Sequence, residues 1–234
     1  PYLSSDELRP ALNCLYLCQN GSFSCCATDG HVLRVISEMD PQGRCELEEY
    51  TGILPKRILQ LLPRLVRDTV QVACSEDYFR FELEHGLTLY SRTVEVSYPD
   101  VARVIPKEFA SAVELDVLRL RNLTEAAKAF ANRTTMASIF EIEEDQILIT
   151  VENSDEDTRW ESSMPIDRIS GEGLRVGMNL GYLEKVLDGV TGKKAMWKYN
   201  DGNTASVFTD IGDAANSSMN LIMPIRIAKE DEDG

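Results

Sequence analysis

The feature that most constrains this chain is an order of elements that comes round twice, about 124 residues apart. In the first round, residues 11–19, 22–27 and 31–37 read as strands around a Gly21 turn and a Thr28–Gly30 turn, and 45–50 reads as another. Pro55 then stands where a helix favours its first residue. Ile58, Leu61, Leu62 and Leu65 recur at i, i+3, i+4, i+7 and predict an amphipathic helix ending near Arg67. Alternation resumes at Val70/Val72/Cys74, Phe79/Phe81/Leu83 and, past the His85–Gly86 turn, Leu87/Leu89, before Tyr98-Pro99 and Pro106 punctuate a connector. The second round gives a strand at 113–117, a helix over about 118–132, and strands at 137–142, 146–152, 158–163 and 174–178. A helix follows over 180–190, with Tyr182, Leu183, Val186, Leu187 and Val190 on one face, then strands at 194–199, 204–209 and 219–225. The 118–132 helix and the strand before it have no first-round counterpart beyond a helix tail at Ser4–Pro10. The expected domains are therefore 1–108, cut at its N-terminal side, and a complete 109–228, followed by an acidic tail over 229–234. The fold class is α+β with antiparallel sheets.

At 234 residues, with 43% hydrophobic and 27% charged residues, the composition is that of a globular protein able to bury a core. No apolar run reaches the ~18 residues of a membrane span. The six cysteines, at 14, 18, 25, 26, 45 and 74, have no C-x-x-C or Cys/His spacing that suits zinc. Within strand-like runs they read as buried thiols of a reducing cytoplasm, and the sequons at Asn122, Asn132 and Asn216 then carry no meaning.

A net charge of −15 argues against a phosphate-binding surface until its distribution is examined. Lys56, Arg57, Arg64 and Arg67 fall within one sector of the first helix, opposite its apolar stripe. The stretches 55–67, 118–133 and 180–194 together hold 11 basic and 3 acidic residues, which leaves 13 basic and 36 acidic for the rest. One basic helix face is ordinarily only a solvated face. Three in an acidic chain point to a localised surface suited to a nucleic-acid backbone, without base reading.

Catalytic material is sparse. With His31 and His85 the only histidines, a His-based triad or multi-His metal site lacks its parts. Gly171–Gly177 has the wrong spacing for a dinucleotide loop, and Gly189–Lys194 lacks the first glycine and the Ser/Thr of a phosphate loop. The acidic runs at Glu141–Asp145 and Asp155–Asp157 read as solvated turns rather than metal sites. No enzyme chemistry, cofactor or metal is expected.

Ala27-Thr28-Asp29-Gly30-His31-Val32-Leu33-Arg34-Val35 is, as bare turn chemistry, a hairpin reversal. Taken with the distant Leu221-Ile222-Met223-Pro224-Ile225-Arg226, it resembles the bacterial DNA polymerase III sliding clamp (beta subunit). Supporting stretches are Arg9-Pro10-Ala11-Leu12-Asn13, Ile53-Leu54-Pro55-Lys56, Tyr98 through Pro106, and Val176-Gly177-Met178-Asn179-Leu180-Gly181-Tyr182-Leu183. The likeness runs from about Leu8 to Arg226.

That resemblance implies repeated clamp domains whose helices line a hole around duplex DNA while the sheets lie outside. It implies a bacterial, cytoplasmic, nucleoid-associated processivity factor, a homo-oligomeric ring when complete. Its partners would be the replicative polymerase, the clamp loader and other proteins carrying a clamp-binding motif. A pocket between the second and third domains would take their short peptides. Its lining by position is Leu12, Thr28, Gly30, His31, Leu33, Pro99, Arg103, Val104, Asn179, Tyr182, Ile222, Met223, Pro224, Ile225 and Arg226. The DNA-facing residues would be Lys56, Arg57, Arg64, Arg67, Arg121, Lys128 and Lys185. Three departures stand out: Val32 where the family commonly has Arg, an acidic extension after Ile227, and fewer domains than the family's three. The alternative expectation is a clamp-like interaction module that does not encircle DNA.

Overall fold

The computed structural model describes residues 1–20, 22–37, 49–67, 70–212 and 218–227. Gly21, Cys45, Asn216 and the 228–234 tail, on which expectations were placed, lie outside the described residues. Residues 2–100 make one compact unit and the chain from Val101 onward the other.

In the first unit β1 (Cys14–Asn20), β2 (Ser22–Thr28), β3 (Val32–Ser37) and β4 (Glu49–Pro55) precede α1 (Lys56–Leu65). β5 (Gln71–Cys74), β6 (Tyr78–Glu82) and β7 (Thr88–Arg92) follow. β1 to β4 pair antiparallel in the order β3-β2-β1-β4, and β5-β6-β7 form a separate antiparallel sheet. The core is Leu17, Cys25, Leu54, Ile58, Phe79, Phe81 and Leu83, drawn from both sheets and α1.

Four features of this unit differ from the expectations. Residues 11–13 are a 3-10 turn rather than strand, because Pro10 presets its first φ and removes a ladder donor. Pro55 closes β4, paired with Cys14, and α1 starts at Lys56. The apolar stripe of α1 is only partly covered: Ile58 is buried and Leu62 packs on the core, while Leu61 and Leu65 are 39% and 38% exposed. Pro63, which lacks the N–H to reach back one turn, sits in the last turn, and the helix ends at Leu65 rather than Arg67.

The second unit holds β8 (Ser111–Asp116), α2 (Val117–Lys128), β9 (Ala137–Ile142), β10 (Gln146–Asn153) and β11 (Thr158–Pro165). It continues with β12 (Arg168–Ser170), β13 (Leu174–Asn179), α3 (Leu180–Gly189), β14 (Lys194–Tyr199), β15 (Ser206–Asp210) and β16 (Ser218–Ile222). Its sheets run β11-β10-β9-β13 and β12-β8-β14-β15-β16, all antiparallel. Trp197 is fully buried between Phe140, edge-on at 6.0 Å, and Phe208, stacked at 5.1 Å, so the two sheets share one aromatic centre. The last strand ends at Ile222, short of the expected 225, because Pro224 has no N–H to continue the ladder. β12 carries no apolar alternation and was not expected.

Both helices of this unit are capped by the residue that ends the preceding strand. Asp116 accepts the Arg119 N–H at 2.7 Å, and Asn179 accepts that of Tyr182 at 3.0 Å. Val117, Leu120, Thr124 and Ala127 of α2 and Leu180, Leu183, Val186 and Leu187 of α3 turn inward.

The repeat is plain in the topology. β3-β2-β1-β4 has the order of β11-β10-β9-β13, and α1 and α3 occupy residues offset by 124. β8 and α2 have no counterpart among the described residues of the first unit.

Candidate functional site

The Thr28–Val32 turn is closed by its own side chains. Asp29 Oδ1 accepts the N–H groups of His31 at 2.9 Å and Val32 at 3.0 Å. Thr28 Oγ1 accepts from Gly30 N at 3.0 Å and donates to Val32 O at 2.7 Å. Gly30 takes φ +95°, a left-handed value that a side chain resists. Asp29 is only 7% exposed, so the turn carries a satisfied carboxylate inside and presents Gly30 and His31 outside. Thr28 and Leu33 are buried beneath them.

Leu12, in the 3-10 turn, lies below Gly30, its Cδ1 at 3.9 Å from where a Cβ would stand. Arg9 was not among the expected lining residues, yet its Nη1 comes to 3.2 Å of that same point. Asp6 pins it, Oδ2 accepting from Arg9 Nε at 2.8 Å. That bond and the N–H of Leu8 hold the Asp6 carboxyl below its ordinary value. The Asp6-to-Arg9 spacing, i to i+3 ahead of Pro10, was the available signal. Pro99 is exposed at the end of this unit. It follows Tyr98, which stacks on Tyr16 with ring centres 5.0 Å apart and donates its hydroxyl to Cys26 O at 3.4 Å. Burial pushes the Tyr98 phenol up from its usual range.

The second unit places the remaining lining residues. Arg103 closes a short 3-10 turn, and Val104 beside it is 48% exposed. Asn179 both caps α3 and donates from Nδ2 to Thr135 O at 2.7 Å, which fixes its amide. Tyr182, half-buried on the first turn of α3, has the Lys185 ammonium 5.3 Å over its ring. Ile222 is buried as the last residue of β16, while Met223, Pro224 and Ile225 are half-buried and Arg226 is exposed. Beyond Pro224 the chain leaves its sheet and meets the edge of the other one, Ile225 N donating to Gly177 O at 2.9 Å.

The expected DNA-facing side chains have varied company. Arg57, Arg64 and Arg67 are exposed, and Lys56 Nζ donates to Ser4 O at 3.1 Å. Arg121 meets Asp188 and also donates to Leu187 O at 2.7 Å. Lys128 lies between Glu184 at 2.9 Å and Glu125 at 3.1 Å. These three acids are the only ones in the basic stretches, and all of them spend their charge on α2 cations.

Among the described residues no three His, Cys, Asp or Glu side chains gather as metal ligands, and no helix is long and apolar enough to cross a membrane.

The family described as "DNA polymerase III beta subunit, C-terminal domain" matches residues 102–226, more than half of the chain. A beta sliding clamp of Synechocystis is 28% identical over 96% of this chain and 60% of its own length. One of Streptococcus pneumoniae is 25% identical over 95% and 59%. The chain thus spans about 60% of the length of these curated relatives. Among solved structures, the DNA polymerase III subunit beta of Pseudomonas aeruginosa superposes with a TM-score of 0.88 at 23% identity, covering 97% of this chain and 61% of that one. The same organism's sliding clamp bound to griselimycin gives 0.87 at 23% identity, covering 97% and 60%.

Proposed function

This chain belongs to the DNA polymerase III beta subunit family, and we propose that it is a DNA sliding clamp, or part of one, acting without catalysis as a platform for replication proteins. The observations that carry the proposal are two built surfaces, each described within its own unit: the Asp29-closed turn, and the Met223–Arg226 segment held to Gly177. Leu12, Gly30, His31, Pro99, Arg103, Val104, Asn179, Tyr182 and Met223 through Arg226 are the residues that the family likeness assigns to short peptides bearing apolar anchors. Thr28, Leu33 and Ile222 are buried and support them from within. Met223 suits the task because an unbranched thioether adapts to Leu and Phe anchors. Asn179, with its amide already fixed, has no orientation left to lose on binding. The ligands are motifs of a polymerase, a clamp loader and related proteins in the bacterial cytoplasm, and the complete protein closes into a homo-oligomeric ring on nucleoid DNA.

The test is fluorescence anisotropy with a labelled peptide carrying Gln followed by a Leu-Phe pair. Saturable binding is expected, weakened about tenfold or more by Met223→Ala with unfolding unchanged. Equal affinity in wild type and variant sinks the pocket.

The exposed Arg57, Arg64 and Arg67, with Lys56, Arg121, Lys128 and Lys185, meet duplex DNA through its backbone. If four of these seven contact phosphates at once, affinity falls on the order of a hundredfold between about 50 and 200 mM salt. A second reading, a peptide-binding module that does not encircle DNA, draws support from the ion pairs that occupy Arg121 and Lys128. Peptide binding combined with a flat salt response would favour it.

A further inference from the structure

Gly177 lies in β13, between the buried Val176 and Met178, at the edge of the β11-β10-β9-β13 sheet. On one side it pairs with Ile139 of β9. On the other it receives the chain after β16, a segment whose previous strand belongs to the other sheet of the unit. Pro224 forces that departure, since β16 cannot be extended through a residue with no N–H. Residues 223–227 therefore form a strap, fixed at one end by the β15–β16 ladder and at the other by the Ile225 N–H on Gly177 O, at 2.9 Å.

The strap sits where only a glycine leaves room. A Cβ on residue 177 would fall 2.7 Å from Ile225 O, 2.8 Å from Ile227 Cγ1 and 2.9 Å from Ile225 Cγ1. The two isoleucine carbons belong to side chains that can turn aside. The Ile225 oxygen is backbone, and to reach ordinary contact the strap itself must retreat by on the order of half an ångström. Gly177 has a negative φ, so its role is close approach rather than unusual backbone conformation.

We infer that Gly177 is a positioning residue for peptide binding: it touches no ligand but sets the height at which Met223, Pro224 and Ile225 are presented. The inference rests on the peptide-binding function proposed above. An added methyl at residue 177 lifts the strap while leaving the β13–β9 pairing intact. Two signatures separate this from plain destabilisation, which would lower the melting temperature and open amides throughout the sheet. Displacement of the strap instead accelerates hydrogen exchange at the Ile225 amide selectively, while the amides paired across β9 and β10 keep their protection.

The experiment compares wild type, Met223→Ala, Gly177→Ala and Ile227→Ala by anisotropy with the labelled Gln/Leu-Phe peptide and by native-state hydrogen exchange. Gly177→Ala is expected to lose about tenfold in peptide affinity and to exchange the Ile225 amide at least about tenfold faster. Ile227→Ala, which removes the apolar cover over Gly177 without entering β13, is expected to move both readouts the same way by a smaller factor. It also stands in should Gly177→Ala fail to fold. If wild type binds and Met223→Ala weakens it, but Gly177→Ala or Ile227→Ala leaves affinity and the Ile225 amide unchanged, the positioning role is wrong and the pocket stands. If folded wild type does not bind at all, the pocket itself is wrong and the inference falls with it.

Discussion

Asp29 shows how much a single side chain can organise. Its carboxylate accepts two consecutive backbone N–H groups from a nearly buried position. Asp29→Ala leaves the His31 and Val32 donors without that acceptor, and a loss of about 2 kcal/mol is expected in urea unfolding. Asp29→Asn, which keeps an acceptor oxygen, should cost less. This turn was legible in the sequence because Thr, Asp and Gly act within their own few residues. The approach of Arg9 to Gly30 was not, since it depends on how the 3-10 turn at Pro10 folds back. Cys14, Cys25 and Cys26 are core residues as expected, whereas Cys18 and Cys74 are only half-buried, and the buried three carry a pH prediction. Burial pushes Cys14 and Cys25 up, and Cys26 up to about 11. A raised folded-state value means that the stability from keeping each thiol neutral is whole below the ordinary value of 9.0 and is lost as pH rises toward about 11. Urea midpoints measured from pH 8 to 11 should therefore fall, and fall less steeply in Cys26→Ala than in wild type.

Among the elements, the helices repay separate treatment. α2 and α3 hold each other through Arg121 on Leu187 O and Asp188, and through Lys128 on Glu184. These pairs are substantially exposed, so Glu184→Gln with Asp188→Asn is expected to cost no more than about 1 kcal/mol. The same change removes two negative charges beside these cations, although Lys128 keeps Glu125 and Arg121 keeps Leu187 O, so affinity for duplex DNA should rise. An unchanged affinity would show that this helix face does not meet DNA. The order of elements placed α2, and periodicity found α1 and α3 because an amphipathic stripe is a local pattern. It could not say that Leu61 and Leu65 stay exposed, because their cover depends on what packs against α1 and not on α1 itself. Strand ends were lost at Pro10 and Pro224, each of which removes a ladder donor, while the strand expected at 45–50 stands at Glu49–Pro55. β12 was invisible because a three-residue strand has no room for alternation.

For the whole molecule, repetition at an offset of 124 residues was the most informative thing in the sequence, and it survives as a shared sheet order. Element order repeats even though side-chain identity does not, since a given pattern of burial can be met by many apolar residues. At this scale a repelling acidic body competes with the exposed Arg57, Arg64 and Arg67, and a salt titration with DNA separates the two effects. The central claim is that the residues proposed above take the Gln/Leu-Phe peptide. Its most direct measurement is an amide NMR titration with that peptide. The amides of His31 and Val32, and those of Ile225 and Arg226, should shift saturably. Unchanged amides at these positions, or shifts that never saturate, would contradict it.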